Sequence, residues 1–200
     1  MLPSSINCDT CSQSYDFPDP ANGLYLYAPQ YDVKNKTVKD EHLLSIPKQP
    51  VWCGTCNAPT FSEDLRSIRD WEHAIALTKM NKSIEYPINT TPLEDKTTAI
   101  EELKQLFNIR QKRHPKGHCL FCGGLQYIEF NNPNQQIRHD GCGGKFKFLY
   151  SVFSCIYRTS AYRIYSTDGK QIGRLQQHGE TEGTFIVNEC GYDSPNEKTE

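Results

Sequence analysis

The chain has 200 residues, a formal net charge of −2 and a mean hydropathy of −0.67. Only 36% of its residues are hydrophobic, against roughly 45–50% apolar content in ordinary globular domains, so a large oily core is excluded and a modest one needs help from crosslinks. The near-neutral balance argues against a general polyanion binder. The most apolar run, Phe146 to Tyr157, is broken by Lys147 and Ser154 and falls short of the roughly 20 residues of a membrane helix.

Nine cysteines set the compartment. The opening residues carry neither the basic start nor the apolar segment of a secretory leader, which points to a reducing, cytoplasmic setting where thiols serve as metal ligands rather than disulfides. They fall first as Cys8-Asp-Thr-Cys11, then, after a Tyr- and Pro-rich stretch, as Cys53-Gly-Thr-Cys56. Between them Leu24 to Ala28 reads as a strand with Tyr25 and Tyr27 on one face, and Leu43 to Ile46 as a second extended piece. In a CxxC turn the backbone N–H groups after the second cysteine point back at sulfur, and Ser12, Asn57 and Gly123 occupy that place. Two such turns face to face make a closed tetrahedral thiolate cage, so the first site is expected to be Cys8, Cys11, Cys53 and Cys56.

The segment after Pro59 predicts an amphipathic helix, with Ser62 as N-cap, Glu63 and Asp64 in the first turn, and Leu65, Ile68, Trp71 and Ile75 as its apolar stripe. A second helix is predicted from Thr91, with Pro92 at its first position, Glu94 completing a capping box, and Leu93, Ile100, Leu103 and Phe107 buried. Arg110, Lys112 and Arg113 fall at its end, where they complement the helix dipole or meet an anionic partner.

Cys119, Cys122, His139 and Cys142 follow as CxxC, strand, turn, strand, HxxC, the expected second site. His139 is preferred over His118, Cys155 and Cys190 as fourth ligand because it shares a turn with Cys142. This order resembles the zinc-ribbon and zinc-knuckle modules over about residues 117–146, with a looser, inserted version at 7–58. The resemblance implies two structural zinc ions; such modules serve in nucleic-acid machinery and in protein-interaction adaptors.

Beyond Lys145, Phe146, Phe148, Tyr150 and Val152 alternate as one apolar strand face. Tyr162 to Ser166 and Gln171 to Leu175 flank Thr-Asp168-Gly169-Lys, a hairpin turn, and Thr184 to Val187 is a further strand. The reading is an α+β protein: a zinc-knuckle module over residues 1–60, a helical segment over 61–116, a zinc-ribbon and antiparallel-sheet module over 117–192, and a tail over 193–200.

With no nucleophile elbow, P-loop or dinucleotide motif, and with His42, His73, His114 and His178 isolated, a metalloenzyme is the weakest functional reading. The preferred one is a non-catalytic, cytosolic protein-interaction module, an inhibitor or adaptor, that meets a protein partner through Tyr15, Tyr25, Tyr27 and Tyr31. The alternative is a nucleic-acid-binding ribbon using Arg110, Lys112, Arg113, Lys116, Lys145 and Lys147.

Overall fold

Short strands alternating with tight turns leave each hairpin too small to bury a face alone, and the chain solves this by pairing strands distant in sequence. The computed structural model describes residues 5–17, 25–84, 96–113, 116–130, 137–139, 141–149, 161–176 and 183–190. In the first sheet β1 (Ser5–Cys8) lies between β2 (Ser14–Asp16) and β9 (Phe146–Leu149). A second three-stranded sheet is built alike, with β6 (Lys48–Cys53) between β7 (Ala58–Glu63) and β8 (Tyr127–Glu129).

The third sheet has the order β4-β12-β11-β10-β3-β5. Its strands are β3 (Tyr25–Tyr27), β4 (Thr37–Lys39), β5 (Leu44–Ser45), β10 (Ala161–Tyr165), β11 (Gln171–Gln176) and β12 (Thr184–Glu189). The C-terminal strands form the expected antiparallel meander, and β10 also runs parallel to β3. Each of the three sheets therefore takes strands from before residue 64 and from after residue 116. The stretches 1–60 and 117–192 meet inside every sheet.

Helix α1 (Ile68–Lys79) packs on α2 (Lys96–Lys112). Trp71 and Ala74 from one and Leu103, Leu106 and Ile109 from the other join a core that also holds Ile6, Phe17, Tyr27, Phe61, Leu120 and Tyr165. The expected start of α1 is corrected: Ser62 lies in β7, and Ser67 is the N-cap, its hydroxyl accepting from the Asp70 N–H while the Asp70 carboxylate accepts from the Ser67 N–H. That reciprocal box satisfies two orphan helix donors, whereas Ser62-Glu63-Asp64 is drawn into the ladder by the pairing of Lys48 with Glu63. Thr91, Pro92, Leu93 and Glu94, the expected start of the second helix, lie outside the described residues, as do Tyr150, Val152 and the tail.

Two further expectations change. Tyr25 and Tyr27 are 4% and 1% exposed, and Tyr15 packs edge-on against Trp52 and Phe146, so the N-terminal tyrosines are largely internal. Arg110 and Arg113 are turned inward, each 9% exposed, with Arg110 Nε donating to the Arg66 carbonyl at 2.7 Å and Arg113 donating to the buried Glu63 carboxylate.

Candidate metal centres

Four tight turns of one construction carry the expected ligands. In each, the first donor residue is tied to the residue five positions on: the N–H groups of Cys8, Cys119 and His139 donate to the carbonyls of Gln13, Gly124 and Gly144, and Cys53 pairs with Ala58 across the β6–β7 hairpin. The residue after the second cysteine is left-handed every time: Ser12 (φ 59°), Asn57 (φ 49°), Gly123 (φ 72°) and Gly143 (φ 70°). This bend lets both donors of a turn point to one spot. Because Ser12 and Asn57 hold a conformation that favours glycine, Ser12→Gly is expected to stabilise the protein by about 0.5–1 kcal/mol, and Asn57→Gly by less, in thermal melts.

The turns pair in a nested order that corrects the expected one. Cys8 and Cys11 meet His139 and Cys142, while Cys53 and Cys56 meet Cys119 and Cys122; in each set all donor atoms lie within 4.8 Å of one another. In the first, Cys8 Sγ is 3.4 Å from Cys142 Sγ, and His139 Nδ1 is 3.2 Å from Cys11 Sγ and 3.3 Å from Cys142 Sγ. In the second, Cys53 Sγ is 3.6 Å from Cys122 Sγ, and Cys56 Sγ is 3.9 Å from Cys119 Sγ. A tetrahedron with metal–sulfur bonds of about 2.3 Å has edges of about 3.8 Å, so both sets have the dimensions of a four-ligand metal site.

Strand pairing brings the distant turns together. Antiparallel β1–β9 sets Cys8 opposite Phe146, reinforced by hydrogen bonds from Asp9 N–H to the Lys145 carbonyl at 3.0 Å and from Lys145 N–H to Asp9 Oδ1 at 2.8 Å. Antiparallel β6–β8 sets Cys53 opposite Tyr127, with Gly54 N–H donating to the Gln126 carbonyl at 2.8 Å. The His139 ring lies among Tyr15 and Phe146, centroids 6.3 and 5.5 Å away.

One sulfur of each set is biased towards ionisation. The Cys11 N–H pulls Cys8 down to about 6, outweighing desolvation, with help from the Thr10 N–H and the neighbouring thiols. The thiols of Cys119 and Cys56 hold Cys53 down at about 2, and their own proton affinity rises in return, Cys119 to about 12. Each set thus holds one sulfur that its neighbours favour as the thiolate, and a bound dication displaces the remaining thiol protons. The Cys53 set is the more enclosed; Cys11 and Cys142 stand exposed in the other.

The other candidates for the fourth position go elsewhere. His118 Nδ1 is 3.0 Å from Arg113 and its N–H donates to Glu63 at 2.8 Å; Cys190 Sγ accepts from Gln171 at 3.6 Å; Cys155 lies outside the described residues. His42 adjoins Glu41 and His73 is exposed on α1, while His114 and His178 are not among the described residues.

The residue that pattern reading missed is Glu63. It is 1% exposed, and its carboxylate accepts from Tyr27 Oη at 2.6 Å, from Arg113 NH1 at 2.9 Å, from Arg113 NH2 and from the His118 N–H. Burial alone would raise it, but hydrogen bonding from His118 and Arg113 and the guanidinium charge prevail and hold it at about 2. The network fixes the approach to Cys119: Glu63 N–H donates to the His118 carbonyl at 3.0 Å, and Ser62 bridges Cys119. Gly169, in the β10–β11 turn at φ 84°, leaves room for it, since a Cβ there would stand 2.4 Å from Arg113 NH2 and His118 Nδ1. Gly169→Ala is expected to lower stability by about 2 kcal/mol or more, read as a fall in the melting midpoint.

Compared with known proteins, the chain matches no family model, no curated protein and no solved structure.

Proposed function

We propose that this is a zinc-stabilised, non-catalytic protein-interaction module of the cytoplasm, an adaptor or inhibitor, in which two structural zinc ions hold zinc-ribbon-like sheets. The observation that carries the reading is that four turns of one construction supply two donors each, closing both sets at four. All-Cys and Cys3His tetrahedra are sets that structural zinc takes, whereas a catalytic zinc keeps one position for water. Thiols that must stay reduced to bind metal suit a reducing compartment. No described helix is long and apolar enough to cross a membrane.

The fold also bears on the partner. With Tyr25 and Tyr27 internal, the side chains left for recognition near the zinc-bearing sheets include Leu125 and Ile128, 46% and 39% exposed, beside and within the outer strand β8. The nucleic-acid alternative loses Arg110 and Arg113 to internal contacts, which leaves Lys112, Lys116, Lys145 and Lys147 exposed. Elemental analysis of the purified chain is expected to give two zinc ions per chain, and affinity capture is expected to recover a protein partner with the zinc-loaded chain but not after chelation. A chain that folds fully without metal, or one that retains nucleic acid with a steep salt dependence and captures no protein, would overturn the proposal.

A further inference from the structure

The two donor sets differ in what shields them. In the Cys53 set, Cys53 and Cys119 are buried and Cys56 and Cys122 half-buried, whereas in the other set Cys11 and Cys142 are exposed and only Cys8 of the three sulfurs is buried. The local sequence leaves Cys142 bare: it stands between Gly141 and Gly143, both exposed, and even a Cβ at Gly143 would meet nothing within 4 Å. Cys11 is exposed too, but Thr10 and Ser12 flank it where glycines flank Cys142.

Behind this open sulfur lies a shielded one. Cys8 Sγ is 3.4 Å from Cys142 Sγ, closer than the 3.6 and 3.9 Å between turns in the Cys53 set. Gly144 leaves room for it, since a Cβ there would stand 2.5 Å from Cys8 Sγ. Sulfurs 3.4 Å apart reach the disulfide bond length of about 2.0 Å by a movement of about 1.4 Å. A sulfur that ligates a metal is a thiolate, and at the surface it is open to oxidants.

We infer that Cys142 and Cys8 form a reversible disulfide switch, driven by hydrogen peroxide, that empties the first donor set and leaves the second intact. The switch rests on the zinc reading above. The Cys142 thiolate attacks a peroxide oxygen, the O–O bond breaks and hydroxide leaves, giving the sulfenic acid; the Cys8 thiolate then attacks the Cys142 sulfur, the S–O bond breaks and a second hydroxide leaves. Two thiolates thus supply two electrons, and two protons from solvent complete two waters. Cys11 and His139 remain, too few donors for a structural ion, while the disulfide still ties β1 to the turn ahead of β9. In a reducing compartment thiol exchange resets it.

The test treats the full zinc-loaded chain with hydrogen peroxide, reads released zinc with a chromogenic chelator and maps the linkage by mass spectrometry after alkylation of free thiols. One ion is expected to leave at least about tenfold faster than the other, with Cys8–Cys142 as the linkage, and to be taken up again after a thiol reductant and zinc are added. Cys155→Ser with Cys190→Ser, which removes both cysteines outside the sets, is expected to respond alike. Cys142→His keeps four donors, and is expected to start with two zinc ions and to release the first at least about tenfold more slowly than the parent. Simultaneous release of both ions, retention of both, a Cys8–Cys11 linkage, irreversible loss, or unchanged release from Cys142→His overturns the inference, as does loss of the response in the Cys155/Cys190 variant. These outcomes are read on a chain that begins with two zinc ions, so they leave the zinc reading standing; a chain that begins with fewer removes that reading and the switch with it.

Discussion

Replacing Cys119 by Ser is expected to remove one of the two zinc ions and to unfold the region built on β6, β7 and β8, because Cys119 shares its set with Cys53, Cys56 and Cys122. Binding energy at a structural zinc site is folding energy, about 10–16 kcal/mol in zinc-finger peptides, and exceeds what most domains hold in reserve. Nested pairing makes the outcome specific. Cys53→Ser combined with Cys119→Ser is expected to lose no more zinc than either alone, and Cys8→Ser with Cys142→Ser likewise, whereas Cys8→Ser with Cys53→Ser is expected to lose both ions. Zinc content and thermal melts of the four single and three double variants check it. Equal zinc loss in the Cys8/Cys53 double variant and its parents would restore the pairing of turns adjacent in sequence.

The second large effect is expected at Arg113. Arg113→Ala leaves the Glu63 carboxylate buried beside Tyr27 and His118 without its guanidinium, and breaking one side of such a pair costs about 3–5 kcal/mol. Denaturant unfolding measures it. The companion variant Glu63→Leu with Arg113→Met is expected to recover most of the loss, since removing both charges leaves none buried unpaired. The pH dependence has a fixed sign. The carboxyl of Glu63 sits at about 2 in the fold against about 4.5 ordinarily, so the native state binds its proton less readily than the unfolded chain does. Its contribution, on the order of 3 kcal/mol, is complete above about pH 4.5 and is lost as pH falls towards 2. A chain with Glu63→Gln is expected to lack that part of the acid transition. Charge reversal at Arg113 is consequently expected to unfold the protein rather than to probe its surface, and Lys112 is the exposed cation of that helix end.

The parts of the fold legible from local pattern are those whose physics is local. Asp168-Gly169 between two β-favouring runs specifies a hairpin because the turn needs a left-handed residue, and β10–β11 forms there. Of the predicted helical stripes Trp71 and Leu103 are buried, joined by Ala74, Leu106 and Ile109, whereas Ile75, Ile100 and Phe107 are half-buried and Ile68 is exposed. The start of α1 was misread: Ser62 followed by two acids fits a cap, but the helix is capped by Ser67. What decided between them was the pairing of β7 with β6, which no window of the α1 segment contains.

The sequence by itself determined that eight donors lie in four turns of two, because two donors two residues apart are carried by one tight turn; the left-handed bend after each second cysteine came from the structure. It did not determine which turns meet. Identical turns are equivalent as ligand suppliers, and the choice between adjacent and nested pairing rests on strand partners more than a hundred residues apart, Ser5 to Cys8 with Phe146 to Leu149. Tertiary structure also decided the fate of the charges. Glu63, Arg110 and Arg113 have the composition of a solvated surface, and only the packing of α2 against the end of β7 turns them into an interior ion pair and a brace, since an ionic side chain is buried where a distant partner arrives to complete it.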